Sequence, residues 1–282
     1  MRIRATAAAV SAVTGALALT GLAVPAAQAA DSGTPYTLDV SFSNFKIASS
    51  IKVGTTAAVS TKVSYTLTHG SDVDPTASDF YTDALLYRGT LDGTEDSSDG
   101  VSGGPATCTV TSATTATCTG TLDIYPADGD LRNADAGTWK AAAEAVDFNG
   151  QDPNSNNLDL SKVGYKDQGD LATTKVLRLG KLTANASPEP VRKGRTITVT
   201  GKLTRANWET GKYAGYSGQS VKLQFRKKGT STYTTVKTIK SSSTGGLSTT
   251  VTASVDGYYR YSFAGTATTS AVSATGDFID VQ

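Results

Sequence analysis

The strongest constraint in this sequence is a series of short runs in which β-branched or aromatic residues alternate with polar ones. The run 195–204, for example, places threonines around Ile197 and Val199. A period of two puts the apolar side chains on one face of an extended chain, which is the pattern of a strand with one buried face. Turn-forming residues cluster between the runs, and no long stretch has the apolar period of a helix. The sequence therefore predicts an all-β protein.

The predicted strands fall into two sets of seven. The first set is 36–43, 57–68, 80–88, 106–111, 116–124, 138–147 and 172–180, and the second is 181–186, 195–204, 220–227, 232–240, 247–254, 258–264 and 271–281. Seven short strands with a turn about every 8–12 residues are typical of an immunoglobulin-like sandwich. We therefore expect two tandem immunoglobulin-like β-sandwich domains.

The first thirty residues are typical of a cleaved export signal. A positive start and an uncharged Ala-rich run are followed by a proline and a small-x-small cleavage pattern: Arg2, Arg4, 5–24, Pro25 and Ala27-Gln28-Ala29. A membrane-spanning helix is disfavoured by the Ala- and Gly-rich composition and by the proline. The predicted organisation is a signal peptide at 1–30 and domains at 31–180 and 181–282. The mature chain is expected to be secreted, with no transmembrane segment.

A faint internal repeat supports the division into two domains. The segment 51–59 aligns with 191–199, and each copy places a glycine, Gly54 or Gly194, in a turn that leads into the second strand. We expect both glycines at positive φ, which residues with a Cβ rarely adopt. Each domain also carries an Asp-Gly corner before an aromatic residue, at 135–139 and 256–259, which is typical of the turn into strand F of these sandwiches.

Three stretches of the second domain resemble the immunoglobulin-like repeat common in secreted proteins of Streptomyces-type actinobacteria. They are 185–194, 221–225 and 256–260. The resemblance covers 181–282, whereas the first domain shares only the strand pattern and the Gly137-Thr138-Trp139 corner. It implies a fold and an extracellular location rather than an activity.

The two cysteines are predicted to form a disulfide. Cys108 and Cys118 bracket a segment that folds as a hairpin, and a turn centred on Ala113 sets them directly opposite each other. Facing residues of an antiparallel pair have Cα atoms about 4.5–5.5 Å apart, within disulfide reach. An exported protein also meets an oxidising environment. The alternative, a metal site, lacks further soft ligands nearby.

A net charge of +1 conceals two oppositely charged domains. Residues 31–180 contain 20 Asp and Glu against 10 Lys and Arg, a net of −10, whereas residues 181–282 contain 5 against 14, a net of +9; the signal carries +2. Three interpretations stay open. Both surfaces are simply solvated, or the domains attract each other, or each recognises a different ligand: cations for the first and an anionic polymer for the second.

Loop carboxylates of the acidic domain are candidate calcium ligands. In the expected topology the CD and EF loops share one end of the sandwich, where seven carboxylates would gather: Asp92, Glu95, Asp96, Asp99, Asp128, Asp130 and Asp135. Ca²⁺ takes about six to eight oxygen ligands of this kind. A second set would lie at the far end: Asp72, Asp74, Asp147, Asn149 and Asp152. The competing interpretation is that these acids only solubilise the loops, and no other cofactor is expected.

The second domain contains aromatic candidates for ligand binding. Trp208, Tyr213 and Tyr216 lie among basic residues and glycines, which suits stacking on sugar rings or a protein partner. The alternative, which we prefer, has Trp208 and Tyr213 cover the end of the sandwich. The basic run 226–228 adds attraction for an anionic wall polymer. The expected partners are cell-wall polymer, polysaccharide or another protein, and not nucleic acid, for which no motif is present.

The sequence does not predict an enzyme. His69 is the only histidine, and we expect it on the surface at a strand end. Both cysteines are committed to the disulfide, and neither a His-Glu-x-x-His motif nor a phosphate-binding glycine loop is present. The expected function is a secreted, non-catalytic binding or structural module at the cell envelope or outside the cell. The alternatives are a calcium-binding extracellular protein and a carboxylate-dependent glycoside hydrolase, which would use paired acids.

The calcium hypothesis predicts that millimolar calcium raises the melting temperature of the chelated protein, because a ligand that binds only the folded state stabilises it. Thermal unfolding followed by circular dichroism, first with calcium and then with excess chelator, measures this shift. An unchanged melting temperature would refute the hypothesis.

Overall fold

The computed structural model describes residues 33–91 and 100–282. In these ranges the chain forms strands and three short 3-10 helices, at Pro126–Asp128, Asn133–Asp135 and Leu160–Lys162. The all-β prediction is therefore confirmed. The predicted signal peptide at 1–30 lies outside the described residues, and within them no helix is long and apolar enough to cross a membrane.

The strands follow the predicted order along the chain. The first ten are β1 (Tyr36–Thr37), β2 (Val40–Ile47), β3 (Ser50–Val53), β4 (Val59–His69), β5 (Phe80–Tyr87), β6 (Gly100–Ser102), β7 (Thr107–Ser112), β8 (Thr115–Ile124), β9 (Gly137–Asp147) and β10 (Gly164–Arg178). The next ten are β11 (Gly180–Leu182), β12 (Asn185–Ser187), β13 (Thr196–Asn207), β14 (Lys212–Gly215), β15 (Ser220–Lys227), β16 (Thr234–Lys240), β17 (Gly246–Thr252), β18 (Gly257–Phe263), β19 (Val272–Ser273) and β20 (Asp277–Ile279). Every predicted strand overlaps an observed one.

Contacts between residues divide the chain into two compact units. The first contains the described residues of Met1–Ile51, Val59–Ile124 and Thr138–Thr174, and the second contains Lys52–Ala58, Tyr125–Gly137 and Lys175–Gln282. Three segments from the first predicted domain therefore group with the second unit, namely 52–58, 125–137 and 175–180. The first holds Gly54, and the second holds the Asn133–Asp135 turn.

The first unit is built on two sheets, as an immunoglobulin-like sandwich requires. One sheet has the order β1-β10-β9-β5-β6, with β3 also pairing with β10, and the other has the order β2-β4-β8-β7. Buried rows from both sheets form the core: Phe42, Val63, Tyr65, Leu67, Cys118 and Leu122 from one, and Ala84, Leu86, Trp139, Ala141, Ala143 and Ala145 from the other. A buried link joins the sheets, because the Tyr65 hydroxyl lies 2.9 Å from Thr82 Oγ1, which itself donates to the Glu144 carbonyl.

The predicted disulfide is present. Cys108 on β7 lies opposite Cys118 on β8, with their Cα atoms 4.0 Å apart, and the two residues are bonded. The Cys118 side chain points into the core, so the threonines next to it along β8 point outward. Two of them, Thr117 and Thr119, face Thr109 and Thr107 on β7, and such cross-strand pairs stabilise a solvated sheet face.

The second unit repeats the two-sheet arrangement. The long strand β13 pairs with β11 and β12 and also with β14 and β17, and the second sheet has the order β16-β15-β18-β19, with β20 also pairing with β18. The core between the two sheets contains side chains with no exposed surface: Ile197, Val199, Leu203, Val221, Leu223, Tyr261 and Ile279. The Tyr261 hydroxyl donates to the Val199 carbonyl at 2.7 Å, which satisfies the one polar atom of this buried ring.

The two repeat glycines differ in their backbone conformation. Gly194 has φ of +82° as predicted, and its N–H donates to the Ala253 carbonyl. Gly54 is not at positive φ, so that prediction was wrong. A Cβ at Gly54 would lie 3.3 Å from the Tyr213 hydroxyl, so this glycine accommodates a close approach rather than a left-handed turn.

The aromatic residues of the two Asp-Gly corners pack inward as expected. Trp139 and Tyr259 are 1% and 4% exposed. The corner aspartates accept backbone hydrogen bonds: Asp135 from the Arg132 N–H at 2.5 Å, and Asp256 from the Val281 N–H at 2.9 Å. Each corner is therefore held by a carboxylate as well as by a buried ring.

The largest error in the predicted strands concerns β10, which begins at Gly164 rather than at 172. Its first half is polar and lacks an apolar alternation. Gln168 compensates, because its side chain accepts from the Phe42 N–H and donates to the Phe42 carbonyl, both at 2.9 Å. A side-chain amide thus makes the hydrogen bonds that a neighbouring strand would make.

Replacing both cysteines with serine is expected to lower the free energy of unfolding by about 2–3 kcal/mol, because the open chain gains conformational entropy when unfolded. Urea denaturation of the double variant and of the wild type measures the difference. The reduced wild-type protein is the matched control and should unfold at the same urea concentration as the variant. Equal stability of the oxidised wild type and the variant would contradict the prediction.

Candidate functional site

The outer face of one sheet in the second unit is lined by cations and aromatic rings. On β15, Val221 and Leu223 point into the core, so the residues between and beyond them point outward, and β18 alternates in the same way. We call this surface the cation–aromatic face, and its members are Lys222, Gln224, Arg226, Lys228, Tyr233, Tyr258, Arg260 and Phe278.

Strand register brings these outward residues together. Arg226 lies directly opposite Tyr258, and Gln224 lies opposite Arg260. On the other side of β18, Phe278 of β20 lies opposite Tyr258. Side chains directly opposite each other have Cβ atoms about 4.5–5.5 Å apart. Arg226, Tyr258 and Phe278 therefore form one row across three strands, and Gln224 and Arg260 form the next.

Cations and rings alternate along the face. The Arg260 guanidinium lies 3.7 Å from the centre of the Tyr233 ring, and the Arg226 guanidinium lies 5.3 Å from the same ring and 4.1 Å from Tyr258. The Tyr258 and Phe278 rings are 5.1 Å apart, and the Lys228 ammonium lies 5.2 Å from Phe278. Each cation is within the range at which an aromatic ring attracts it.

A glycine allows Tyr233 to lie across the sheet. A Cβ at Gly276 would lie 2.1 Å from the Tyr233 hydroxyl oxygen and 3.2 Å from Tyr258 Cβ. No side chain can occupy that space without moving the ring. The position of Tyr233 between the two arginines therefore depends on the absence of a side chain at 276.

The two arginines are held by neutral oxygens. Arg226 Nη1 donates to the Thr230 carbonyl at 2.5 Å, and Arg260 Nε donates to Gln224 Oε1 at 2.9 Å. The Tyr233 side chain raises the pKa of the Arg226 guanidinium. Among the described residues neither arginine has a carboxylate partner, whereas Lys228 pairs with Asp256 at 3.2 Å.

This arrangement fixes two unpaired positive groups at the surface. Each guanidinium keeps N–H donors beyond those that its neutral partners use. Because the two guanidinium groups are already oriented by their neighbours, less side-chain entropy is lost when an anion binds. The exposed edges of Tyr258 and Phe278 add apolar area next to these donors. The face is therefore suited to bind an anion that is attached to an apolar or ring-shaped group.

The predicted aromatic ligands lie elsewhere in the second unit. Trp208 is 4% exposed, and its Nε1–H donates to the Val53 carbonyl at 3.3 Å. Tyr213 lies under the Lys181 ammonium at 3.7 Å, and Tyr216 lies under the Arg205 guanidinium at 4.0 Å. Trp208 is thus buried, which leaves little of its indole open to a sugar. The binding prediction for Tyr213 and Tyr216 stays a prediction.

The predicted calcium ligands of the first set are only partly described. Asp92, Glu95, Asp96 and Asp99 lie outside the described residues. Asp130 accepts from the Tyr125 N–H at 2.6 Å and Asp135 from the Arg132 N–H, so both carboxylates serve their own loop, which also carries Asp128. Across 33–91 and 100–282, no group of three or more acidic, cysteine or histidine side chains is arranged to hold a metal ion.

Four of the five residues in the second predicted set interact with one another through Asp147: Asp72, Asp74, Asp147 and Asn149. Burial raises the pKa of Asp147, and the charges of Asp79, Asp72 and Asp74 raise it further. Asn149 donates its N–H to Asp147 at 2.9 Å. The fifth predicted member, Asp152, accepts instead from the Asn154 N–H, as is usual for an aspartate in a turn.

His69 is buried rather than on the surface. It is 8% exposed, and its Nδ1 lies 2.9 Å from the Gly70 carbonyl oxygen. Its Nε2 has no hydrogen-bond partner among the residues that the structure describes. The expectation of a surface histidine was therefore wrong, because the strand end at Thr68 and His69 lies against the turn at Thr114, whose carbonyl accepts the His69 N–H.

Gly100 to Gly104 match the Gly-x-Ser-x-Gly motif of serine hydrolases. In those enzymes the serine sits on a sharp turn from a strand into a helix. Here Ser102 is the exposed last residue of β6, and the chain goes on to β7 without a helix. Gly103 instead forms a bridge to Leu122. The match is therefore not a nucleophile elbow.

Two acids of the first unit are neighbours on paired strands. Asp83 on β5 lies directly opposite Glu144 on β9, and among the described residues Asp83 Oδ1 is buried without a hydrogen-bond partner. Burial raises the pKa of Asp83 to about 8, and the Glu144 charge adds to the rise. Burial also raises the pKa of Glu144, whose carboxylate accepts from the Tyr165 hydroxyl at 2.9 Å. Asp83 is therefore the protonated member near neutral pH.

The pair is typical of neighbouring acids that cannot both ionise when burial raises their pKa values. The alternative of a carboxylate-dependent glycoside hydrolase stays a prediction.

Sequence reasoning missed most of the cation–aromatic face. It singled out the basic run 226–228 but not Tyr233, Tyr258, Arg260 or Phe278. The sequence does indicate which side chains of these two strands point outward, because Gln224 and Arg226 alternate with core residues on β15, as Tyr258 and Arg260 do on β18. The pairing of those strands was the missing information.

Comparison with known proteins finds only distant likenesses to solved structures. No family model matches the chain, and no curated protein matches it. Similar solved structures include the Yersinia pseudotuberculosis adhesin InvE, at 12% identity over 84% of this chain and 58% of that one, with a TM-score of 0.26. An I-band fragment of titin is 13% identical over 87% of this chain and 66% of that one, with a TM-score of 0.30. Tandem Ig repeats of Dlar are 13% identical over 87% of this chain and 99% of that one, with a TM-score of 0.22. The chain thus spans less than two thirds of InvE and of the titin fragment.

Replacing Asp83 with Asn is expected to change the pH dependence of stability. The folded protein keeps the Asp83 proton up to a pKa of about 8, whereas the unfolded chain loses it near pH 4. Stability from this group is therefore lost as pH rises from about 4 to 8. The Asn variant has no such proton to lose. Its free energy of unfolding should therefore rise, relative to that of the wild type, by on the order of 3 kcal/mol between pH 5 and pH 9.

Urea denaturation at both pH values measures the effect. The control is Asp170→Asn, because Asp170 is exposed and its Lys140 partner lowers its pKa. That carboxylate is ionised in both states across the same pH range, so the control should follow the wild type. Parallel stability curves for Asp83→Asn and wild type would contradict the prediction.

Proposed function

We propose that this protein is a non-catalytic binding module that acts outside the cytoplasm and holds an anionic polymer on the cation–aromatic face of its second unit. The observation that carries this proposal is the pair of guanidiniums, Arg226 and Arg260, which are oriented by rings and neutral oxygens and have no carboxylate partner among the described residues. The polymer is one of those expected from the sequence, a cell-wall polymer or an acidic polysaccharide.

The cations form a line rather than a single point. Lys222 lies opposite Ser262, so it is the diagonal neighbour of Arg260, which is in turn the diagonal neighbour of Arg226. Diagonal neighbours on paired strands are roughly 7–8 Å apart. Lys228 continues the line beyond Arg226. An elongated chain with repeated negative charges matches this line better than a small ion does.

The net charge of residues 181–282, which form most of the second unit, supports the same assignment. Residues 181–282 carry a net charge of +9. A positive field over a whole unit attracts an extended polyanion from a distance and raises the rate of association. The oriented arginines then provide the close contacts. The location outside the cytoplasm rests on the predicted export signal and on the Cys108–Cys118 disulfide.

Adsorption to isolated bacterial cell wall tests the proposal. The intact protein should bind at low salt and be released as salt is raised, because exposed charges are screened. Replacing both Arg226 and Arg260 with Gln should lower the adsorbed fraction at low salt by about tenfold, since the oriented donors are lost.

The matched control replaces Arg192 and Arg195 with Gln. Both are exposed residues of the same unit, in the turn before β13, and the change removes the same charge. This variant should adsorb within about twofold of wild type. Equal losses in the two variants, or adsorption that ignores salt, would overturn the assignment of the face.

A further inference from the structure

We infer that Arg226 and Arg260 form a clamp for one tetrahedral oxyanion, a phosphate or sulfate group, carried on a sugar ring that packs against Tyr258 and Phe278. This inference rests on the proposed function and specifies the chemical class of ligand at the same face. It follows from the distance between the guanidiniums, from the donors that they leave available and from the rings beside them.

Both guanidiniums approach the same ring. The central carbon of Arg260 lies 3.7 Å from the centre of the Tyr233 ring and that of Arg226 lies 5.3 Å from it, so the two carbons are at most about 9 Å apart. A tetrahedral oxyanion that reaches both guanidiniums would accept hydrogen bonds from both.

The number of available oxygens favours a tetrahedral group. A carboxylate has two oxygens, and one guanidinium fork engages both of them in a bidentate pair. A phosphate monoester or a sulfate ester has three terminal oxygens, so it can satisfy one fork and still accept from the other. Two forks with no acid partner among the described residues therefore match a phosphate or sulfate group better than a uronic acid.

The rings determine what carries the anion. Tyr258 lies beside Arg226 at 4.1 Å, and Phe278 continues the row at 5.1 Å from Tyr258. Both rings are half-buried, so part of each is open to solvent. Sugar rings have apolar faces formed by C–H groups, and these pack on aromatic side chains. An anion held by Arg226 would place its sugar over this row.

The test uses four probes at constant ionic strength, with the intact protein in a calorimeter: glucose 6-phosphate, glucose 6-sulfate, glucuronate and inorganic phosphate. The two tetrahedral sugar esters should bind about tenfold more tightly than glucuronate and more tightly than inorganic phosphate. Comparison of the phosphate and sulfate esters shows which of the two groups the clamp prefers. Glucuronate binding as tightly as both esters would overturn the inference.

Two variants separate the clamp from the rings. The double change Arg226→Lys and Arg260→Lys keeps the charge but removes both guanidinium groups. The affinity for the two esters should therefore fall about tenfold, to that for glucuronate. Phe278→Leu should bring glucose 6-phosphate toward the affinity of inorganic phosphate. Each variant must first show the melting temperature of the wild type, and Arg260→Lys alone serves if the double variant is unstable.

Failure of the clamp is distinguishable from failure of the proposed function. If the lysine variant binds the esters as the wild type does but still adsorbs to cell wall in a salt-dependent way, diffuse charge holds the polymer and the clamp is refuted. If the wild type binds none of the probes and does not adsorb to cell wall, both statements are refuted.

Discussion

The burial of every second side chain on β15 and β18 is the constraint on which the second unit depends. Leu223 and Tyr261 face each other in the core and are fully enclosed. A shift of one residue in either strand would expose that row and bury Arg226 and Arg260, at a prohibitive cost in desolvation. The core therefore determines the outer surface as well, because the same register that buries Leu223 sets the positions of the two arginines.

Local patterns in the sequence predict the strands and the disulfide, because alternation and hairpin pairing are properties of neighbouring residues. Cys108 and Cys118 belong to one hairpin, so their pairing follows from the position of the turn. The residues of the cation–aromatic face are far apart in the chain and meet only through the pairing of β15, β18 and β20. Trp208 is hidden by Val53, 155 residues away, and no local pattern shows that contact.

The first unit keeps a carboxyl group neutral by protonation, whereas the second unit presents charged arginines at its surface. Residues 31–180 carry a net of −10, yet Asp83 is held protonated beside Glu144 on the buried part of a sheet. Repulsion between carboxylates in a dry environment is avoided by retaining a proton rather than by adding a base. The Tyr165 hydroxyl then provides a donor to the remaining negative charge.

The position of the disulfide has a consequence for assembly. β7 is an edge strand of the four-stranded sheet, and an edge strand has unpaired backbone groups that can join a sheet in another molecule. Strand exchange between copies requires β7 to separate from β8. The covalent bond between Cys108 and Cys118 forbids that separation while leaving the threonine-rich outer surface unchanged. Oxidation therefore prevents β7 from being exchanged between copies of the chain independently of β8.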